Sequence, residues 1–293
     1  GWWSFLPKKT LKWIRLGRLD RPIGFWLLLL PGWWILPLSN IELIKCLELM
    51  FIFFVGSIVM RAAGCTINDL WDKDIDKKIS RTQKRPIASG EISILEAFIF
   101  LSIMLLIGLL CLIQLDIETW IIALSSIPLV IIYPLAKRFT KWPQIFLGFT
   151  FSWSIPTAWS ASGTPWEWGV LTMYLATVFW VVGYDTIYGC QDSNEDEFHG
   201  IKNSAVSAKK FLIKFVALIY CFTICLLIVS GIALNASYFW YLGVLIVTIH
   251  FIFQIHKLKY LNEKSAITIF KSNRTVGLIL TLGALGNYIN FTT

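Results

Sequence analysis

Residues 41–76 read IELIKCLELMFIFFVGSIVMRAAGCTINDLWDKDID, a long apolar run that leads directly into a group of carboxylates. One helical crossing of a bilayer needs about 20 predominantly apolar residues, and residues 41–64 meet that length. A transmembrane strand needs only about 10 residues, so this run is too long for one. The stretch therefore predicts a membrane-spanning helix whose end carries an acidic segment.

Eight further segments along the chain have the same apolar character. The 293 residues are 56% hydrophobic and only 15% charged, whereas roughly 25% of the residues of a soluble protein are charged. Such a composition cannot cover a soluble core with polar surface, and we expect an all-α integral membrane protein. The nine predicted spans, each crossing once, are 23–38, 41–64, 92–113, 117–136, 143–163, 168–187, 211–234, 237–257 and 275–291.

The net charge of +8 is distributed in a way that indicates membrane topology. Basic residues concentrate before the first span and in every second connection after it, while the other connections contain essentially only Lys45. Lysine and arginine are enriched in cytoplasmic loops, so the N-terminus and the long polar loops should be cytoplasmic and the C-terminus opposite. We therefore expect contact with a lipid bilayer and no nucleic-acid partner.

The cysteines predict no disulfide or metal site, and the N-terminal stretch predicts no signal peptide. The six cysteines form no CxxC pair and have no histidine at zinc spacing, so we expect neither a disulfide framework nor a metal–thiolate site. The basic, aromatic N-terminal stretch lacks an A-x-A-like site, so we expect no cleavable signal peptide.

The first acidic motif follows the second predicted span. Continued as a helix, Asn68, Asp69, Asp72 and Asp76 occupy positions i, i+1, i+4 and i+8. Residues four apart lie one above the other on a helix, so these side chains are predicted to form one acidic stripe.

A second acidic motif follows the sixth predicted span with nearly the same spacing. Asp185, Tyr188, Asp192 and Asp196 are separated by three, four and four residues, and the last two lie 120 residues after Asp72 and Asp76. This offset suggests an internal repeat of about 23–136 and 143–257 within one domain of residues 1–293. Two such units would place both acidic loops at the same end, facing each other.

Stacked carboxylates near a bilayer repel one another and need compensation. Hard oxygen ligands suit Mg²⁺, which proteins usually hold through a few carboxylates together with substrate phosphates. The alternative to a Mg²⁺ site is an acidic loop face that is merely solvated. An EF-hand calcium site is disfavoured, because neither loop has the glycine turn and the glutamate at the twelfth position that such a site requires. Basic residues accompany both motifs. They could neutralise a diphosphate, or they could only set the membrane topology: Arg81, Lys84, Arg85, Lys137, Arg138 and Lys202.

Arg61 lies inside the second apolar segment, seven residues before Asn68. That spacing is close to two helical turns, so both side chains should share one helix face. An arginine within a membrane span is a candidate functional residue, here for an anionic acceptor such as a benzoate carboxylate. The alternative is a structural role, in which Arg61 pairs with a buried carbonyl or with Asp69.

With these motifs, the sequence resembles the UbiA superfamily of membrane prenyltransferases. Residues 68–76 match its N-D-x-x-D-x-x-x-D signature, Arg81-Thr82-x-x-Arg85-Pro86 continues it, and Asp192 and Asp196 match the D-x-x-x-D of the second signature. The stretch from Arg18 to Gly24 begins the resemblance, which extends to the ninth span. Three stretches are similar to the 4-hydroxybenzoate polyprenyltransferase branch: residues 61–65, 133–144 with Tyr133, and 183–188 with Tyr188.

The resemblance implies nine helices around a central cavity, with a cytoplasmic cap formed by the loops after helices 2 and 6 and with two Mg²⁺ ions. By that likeness Asp72, Asp76, Asp192 and Asp196 organise the metals, assisted by Asn68 and Asp69. Arg85 and Lys137 would bind diphosphate, Arg61 the acceptor carboxylate, and Asp185 or Asp192 would be the base.

The activity implied by this resemblance is Mg²⁺-dependent transfer of a polyprenyl chain from an allylic polyprenyl diphosphate to 4-hydroxybenzoate, in ubiquinone biosynthesis. The membrane would be the bacterial inner membrane or an organelle inner membrane. One alternative is a sister enzyme that acts on a naphthoate, a haem or a chlorin. A metal-coupled transporter is a further alternative, although two acidic motifs on the same membrane face suit a catalytic cap better than alternating access.

Overall fold

The computed structural model of the chain describes residues 5–79, 82–140, 142–190 and 211–289. These residues form α-helices, short 3₁₀ turns and connections, with no β-strand among them. The helices are α1 (Lys8–Leu16), α2 (Ile23–Leu38), α3 (Leu43–Trp71), α4 (Lys73–Asp76), α5 (Ile94–Leu112), α6 (Ile117–Leu124), α7 (Ile127–Phe139), α8 (Pro143–Ser152), α9 (Ser154–Ser162), α10 (Trp168–Gly189), α11 (Leu212–Ala233), α12 (Tyr238–Lys257) and α13 (Glu263–Leu285).

Five helical segments in the described part of the chain are long and apolar enough to cross a membrane. They are α3, α5, α10, α11 and the segment Tyr238–Tyr260, which contains α12. The 29 residues of α3 extend over about 43 Å at 1.5 Å each, which exceeds the roughly 30 Å of bilayer hydrocarbon. The protein is therefore an integral membrane protein, and α3 is long enough to carry its polar end beyond the hydrocarbon.

Two of the predicted spans are each divided into two helices. Residues 117–136 form α6 and α7, and residues 143–163 form α8 and α9. Pro128 and Pro156 lie in the first turns of α7 and α9, where the missing N–H of proline is tolerated but a preceding helix cannot continue. At the end of α6 the hydroxyls of Ser125 and Ser126 donate to the carbonyls of Ile122 and Ala123, each at 2.6 Å.

The last predicted span also differs from the structure in its limits. The prediction began at residue 275, whereas α13 begins at Glu263. A capping box starts this helix, because Asn262 and Ser265 each accept a hydrogen bond from the backbone N–H of the other. The polar first half of α13 lacks the apolar run that marks a span, which is why hydropathy placed the start too late. The single crossing of each of nine spans and the internal repeat stay predictions.

The described residues of Gly1–Leu28 and Phe51–Asp116 form one compact unit. Its core contains Leu16 at the end of α1, Ile87 and Ile92 from the loop after α4, and Ala97 in α5. The half-buried residues Trp13, Leu70 and Phe100 pack against this core. The loop between α4 and α5 is therefore held by apolar contacts and does not behave as a purely polar connection.

The described residues of Leu29–Met50 and Ile117–Thr293 form a second unit. In it α10 packs against α8, α9, α11 and α13, while α12 packs against α11 and α13. Four fully buried tryptophans belong to this unit, and each indole N–H donates to a protein oxygen, as a buried polar group requires. They are Trp34, Trp159, Trp180 and Trp240.

Candidate active site

The first acidic motif begins within α3 and continues through α4. Asn68 and Asp69 lie in the last turn of α3, which ends at Trp71, and α4 begins at Lys73. The backbone N–H of Asp72 donates to the carbonyl of Asn68 at 2.9 Å, and that of Asp76 donates to the carbonyl of Asp72 at 2.8 Å. Helical spacing thus persists across the short interruption, as the sequence predicted.

Two carboxylates of the motif are buried and bonded to arginines. Asp69 is 1% exposed and Asp76 is 4% exposed. One nitrogen of Arg18, Nη2, donates to both oxygens of Asp69 at 2.7 and 2.8 Å. Nη1 of Arg85 donates to Asp69 at 3.1 Å and to Asp76 at 2.8 Å. We call Arg18, Asp69, Arg85 and Asp76 the arginine–aspartate chain.

The loop after α4 positions Arg85. The hydroxyl of Thr82 donates to the carbonyl of Asp76 at 3.0 Å, and the N–H of Arg85 donates to the carbonyl of Thr82 at 2.8 Å. Just beyond Arg85, Ile87 and Ile92 are buried in the core described above. These contacts return the loop to the end of α4, so the guanidinium of Arg85 reaches both buried aspartates.

Arg18 is positioned by the end of α1. Its backbone has a φ of 57°, a left-handed conformation that is uncommon for a residue with a side chain. Nη1 of Arg18 donates at 2.7 Å to the carbonyl of Arg15, which lies at the end of α1 and also accepts from the backbone N–H of Arg18 at 3.3 Å. The same guanidinium therefore closes α1 and binds Asp69 on α3.

Other predicted residues of this half of the site differ in their surroundings. Asp72 is half-buried at the interruption between α3 and α4, and Asn68 is also half-buried. Lys84 is exposed, whereas its neighbour Arg85 takes part in the arginine–aspartate chain. Arg81 lies outside the described residues. The two neighbouring basic residues are thus brought to different environments, which their spacing did not indicate.

Asn68, Asp72 and Asp76 offer the oxygen ligands that Mg²⁺ prefers. Asp69 fits less well, because arginine nitrogens already bond both of its oxygens. Across the described ranges, no three acidic, histidine or cysteine side chains lie close enough to hold a metal ion. Metal binding by the first motif therefore stays a prediction. Asp192 and Asp196 of the second motif lie outside the described residues, as does Lys202.

Arg61 lies within α3, two turns before Asn68, as predicted. Its guanidinium packs against the second residue of α2, Gly24. A Cβ built on Gly24 would lie 2.6 Å from Nε and 3.1 Å from Nη2 of Arg61. The absence of a side chain at residue 24 therefore allows the guanidinium to lie against the backbone of α2.

The described part of the second motif lies at the end of α10. Asp185 and Tyr188 are half-buried, and the ring of Tyr188 lies 4.5 Å from that of Phe270 on α13. Tyr184, 1% exposed, contacts the rings of Trp180 at 5.0 Å and Phe270 at 5.6 Å. An aromatic group thus adjoins the second motif.

The predicted residues on α7 are partly described. Tyr133 is half-buried in this helix. Lys137 and Arg138 belong to the last turn of α7, and their side chains are outside the described part. The backbone therefore places all three on one helix, and their contacts with a substrate stay a prediction.

Comparison with protein families identifies the chain. Residues 25–275 match the model of the UbiA prenyltransferase family, and the match includes both acidic motifs. This chain belongs to the UbiA prenyltransferase family.

Individual members of the UbiA family are similar over most of the chain. A protein of Aedes aegypti named 4-hydroxybenzoate polyprenyltransferase, mitochondrial, is 42% identical over 92% of this chain, which spans 62% of that relative. A Rattus norvegicus protein of the same name is 39% identical over 96% of the chain, which spans 76% of it. Within the family the chain therefore resembles the branch that carries this name.

Solved UbiA structures share the fold. The apo structure of a UbiA homolog from Aeropyrum pernix K1 has a TM-score of 0.75 at 22% identity and covers 91% of this chain and 99% of its own. A homolog from Archaeoglobus fulgidus, bound to GPP and Mg²⁺, has a TM-score of 0.64 at 18% identity, with 94% and 99% covered. At these identities the likeness concerns the fold alone.

Sequence reasoning gave no role to Arg18 or Gly24, although both lie in a stretch quoted for its family resemblance. A signal was present for Arg18, since Asp69 at the end of a membrane span requires a cation. The sequence offered many arginines and lysines for that purpose, and only the structure selects Arg18 and Arg85. No comparable signal pointed to the contact between Gly24 and Arg61.

Proposed function

We propose that this UbiA family member transfers a polyprenyl chain from an allylic polyprenyl diphosphate to the ring of 4-hydroxybenzoate, ortho to the hydroxyl, in ubiquinone biosynthesis. The observation that carries the proposal is the similarity, over more than nine tenths of the chain, to proteins named 4-hydroxybenzoate polyprenyltransferase. Those relatives are named mitochondrial, which favours an organelle inner membrane, with a bacterial inner membrane as the other location.

The divalent cation in this proposal is Mg²⁺, which was bound in the Archaeoglobus fulgidus homolog. Asn68, Asp72 and Asp76 would hold it together with Asp192 and Asp196. When bound, Mg²⁺ neutralises the diphosphate and so stabilises its departure.

Basic side chains supply the remaining positive charge for the diphosphate. Arg85 is the described residue best placed for this role, because it already lies beside Asp76 at 2.8 Å. Charge that is fixed before the reaction stabilises the developing negative charge of a leaving group without costly reorganisation. The other proposed contacts to the diphosphate are Arg81, Lys84, Lys137, Arg138 and Lys202.

In the reaction, the allylic C–O bond breaks and the electron pair leaves with the diphosphate. A ring carbon ortho to the phenol hydroxyl forms the new C–C bond, and a base takes the ring proton. Asp185 or Asp192 is proposed as that base, with Tyr133 and Tyr188 among the substrate contacts. Water must be excluded because it would capture the allylic cation, and aromatic faces such as that of Tyr188 can stabilise it.

Arg61 is proposed to bind the carboxylate of 4-hydroxybenzoate. A planar guanidinium can donate two parallel hydrogen bonds to a carboxylate. Arg61 lies about 10 Å from Asn68 along α3, given seven residues at 1.5 Å each. That distance separates the acceptor carboxylate from the diphosphate end of the site.

An assay of the purified protein tests this proposal. With 4-hydroxybenzoate, prenyl diphosphates of several lengths and Mg²⁺, mass spectrometry should detect a prenylated hydroxybenzoate, and EDTA should abolish it. Asp72→Ala and Asp192→Ala should each lower the rate by at least about 10²-fold, as the loss of fixed transition-state charge stabilisation typically does.

Asp74→Ala is the matched control, because Asp74 lies in the same motif but its side chain is 86% exposed. This variant should keep nearly the parent rate. Near-normal turnover of Asp72→Ala or Asp192→Ala at saturating Mg²⁺ would falsify the metal assignment. Absence of any prenylated product from the parent protein would refute the proposed function itself.

A further inference from the structure

Both oxygens of the Asp69 carboxylate are already used within the protein. Oδ1 accepts from Arg18 at 2.7 Å and from Arg85 at 3.1 Å, and Oδ2 accepts from Arg18 at 2.8 Å. The carboxylate is 1% exposed, so exchanging these donors for another ligand would leave the half-buried guanidinium of Arg18 without its carboxylate counter-charge. Breaking a buried ion pair in this way is strongly destabilising.

The charges of the arginine–aspartate chain also argue against a metal at Asp69. Two guanidinium groups balance two carboxylates, so the chain is neutral as a whole. A divalent cation bound to Asp69 would lie beside both guanidinium groups, and like charges at hydrogen-bonding distance from one carboxylate repel each other. Asp76 differs, because among the described residues its carboxylate accepts from one arginine, Arg85, through Oδ2.

Arg85 has two carboxylate partners, and they belong to different helices. Its Nη1 bonds Asp69 on α3 and Asp76 on α4. If Asp76 turns to another cationic partner, Asp69 still holds the guanidinium at the end of α3. Arg18 in turn keeps Asp69 oriented, since its one nitrogen bonds both carboxylate oxygens.

We propose that Asp69 is a positioning residue, which holds Arg85 at the diphosphate end of the site through the arginine–aspartate chain and does not bind metal. This inference rests on the proposed prenyl transfer, in which Arg85 contacts the diphosphate. It gives Asp69 a role distinct from Asp72 although both belong to one motif. The consequence is that loss of Asp69 weakens diphosphate binding and leaves the number of bound metal ions unchanged.

The experiment measures metal and diphosphate binding separately on the purified full chain in detergent. Bound Mn²⁺ per protein is counted by EPR at saturating geranyl thiolodiphosphate, an unreactive analogue, and the Kd of that analogue is measured by calorimetry. For Asp69→Asn we expect the Mn²⁺ count of the parent and a Kd raised about tenfold or more, the loss typical of a hydrogen bond to a charged group.

Two further variants serve as positive and negative controls for this result. Asp72→Asn should bind fewer Mn²⁺ ions, since Asp72 is assigned to the metal, and Asp74→Asn, with the same charge change on an exposed side chain, should match the parent in both measurements. A lowered Mn²⁺ count in Asp69→Asn would show that Asp69 is a metal ligand and would overturn the inference. An unchanged Kd for the analogue would overturn the positioning role.

Arg18→Gln tests the same inference if Asp69→Asn does not fold. It leaves Arg85 as counter-charge to Asp69, and the inference again predicts weaker analogue binding with the parent Mn²⁺ count. If Asp69 were a metal ligand, removal of a competing guanidinium would instead tighten Mn²⁺ binding. Failure of the proposed prenyl transfer gives a different pattern, in which the parent protein itself binds no Mn²⁺ with the analogue.

Discussion

At the scale of single residues, the guanidinium of Arg61 is the proposed contact for the acceptor carboxylate, apart from the diphosphate. It lies two turns from Asn68 on α3, and it packs against Gly24 on α2. A side chain at residue 24 would occupy the space that Nε and Nη2 of Arg61 now approach. The position of the guanidinium thus depends on a glycine 37 residues earlier in the sequence.

Replacement of Arg61 by lysine should raise the KM for 4-hydroxybenzoate roughly 10- to 100-fold, because a lysine cannot form the two parallel bonds of a guanidinium with a carboxylate. The KM for the prenyl diphosphate should change far less. Saturation curves with each substrate, on the parent protein and on Arg61→Lys, measure both values. A shift confined to the prenyl diphosphate KM would place Arg61 in the diphosphate site instead.

A substitution of Gly24 tests the same prediction without changing Arg61, and Gly56 provides the matched control. Gly24→Ala keeps Arg61 but forces its guanidinium to move, so it should reproduce the rise in acceptor KM. Gly56→Ala adds the same methyl group to α3 at a position where nothing lies within 4 Å, and it should leave both KM values unchanged.

At the scale of helices, α10 packs closely against α11 because Gly183 faces the ring of Tyr220. A Cβ on Gly183 would lie 2.5 Å from Cε1 of Tyr220. That ring cannot retreat easily, since its hydroxyl donates to Gln254 at 2.7 Å and its face stacks on Phe251 with 3.9 Å between ring centroids. One glycine therefore joins α10, which carries Asp185, to a hydrogen-bonded group on α11 and α12.

Gly183→Ala should destabilise the protein by about 1–3 kcal/mol, the usual cost of adding a methylene to a well-packed contact. Thermal unfolding of the purified protein in detergent, followed by the loss of monomer on gel filtration, measures the effect. Gly56→Ala is again the control, because it changes helix propensity in the same way without a clash. Equal stability of the two variants would mean that the contact between α10 and α11 tolerates the added methyl group.

At the scale of the whole molecule, the two acidic motifs are expected to lie on one side of the membrane. α3 is about 43 Å long at 1.5 Å per residue, so its polar end can extend beyond the hydrocarbon while its apolar part spans it. The end of α10 carries Asp185 and Tyr188. A shared catalytic site requires the loops that follow these two helices to have the same sidedness.

Topology can be measured without any assay of activity. Tags placed in the loops 65–91 and 188–210 should label from one side, which is the cytoplasm for a bacterial membrane and the matrix for an organelle inner membrane. A reporter fused after Thr293 should report the opposite side, as the distribution of lysine and arginine predicts. If the two loops label from opposite sides, they cannot form one site, and the proposed enzyme would be wrong.

The sequence by itself determined the class of this protein and the register of its first motif. Long apolar runs predict spans wherever the solvent is lipid, because every backbone group must then be bonded within the helix. The spacing of Asn68, Asp72 and Asp76 follows from helical periodicity alone, and the backbone bonds across the interruption at Asp72 agree with it. Both inferences depend on local properties, which neighbouring residues suffice to define.

Only the tertiary structure decided which partners the buried charges take. Asp69 is bonded to Arg18, 51 residues away, and to Arg85, 16 residues away. Packing of Ile87 and Ile92 against α1 and α5 brings the second arginine into place. The contact of Gly24 with Arg61 likewise joins segments that are distant in the sequence. Each depends on how distant segments pack, and the periodicity of a single segment contains no information about that.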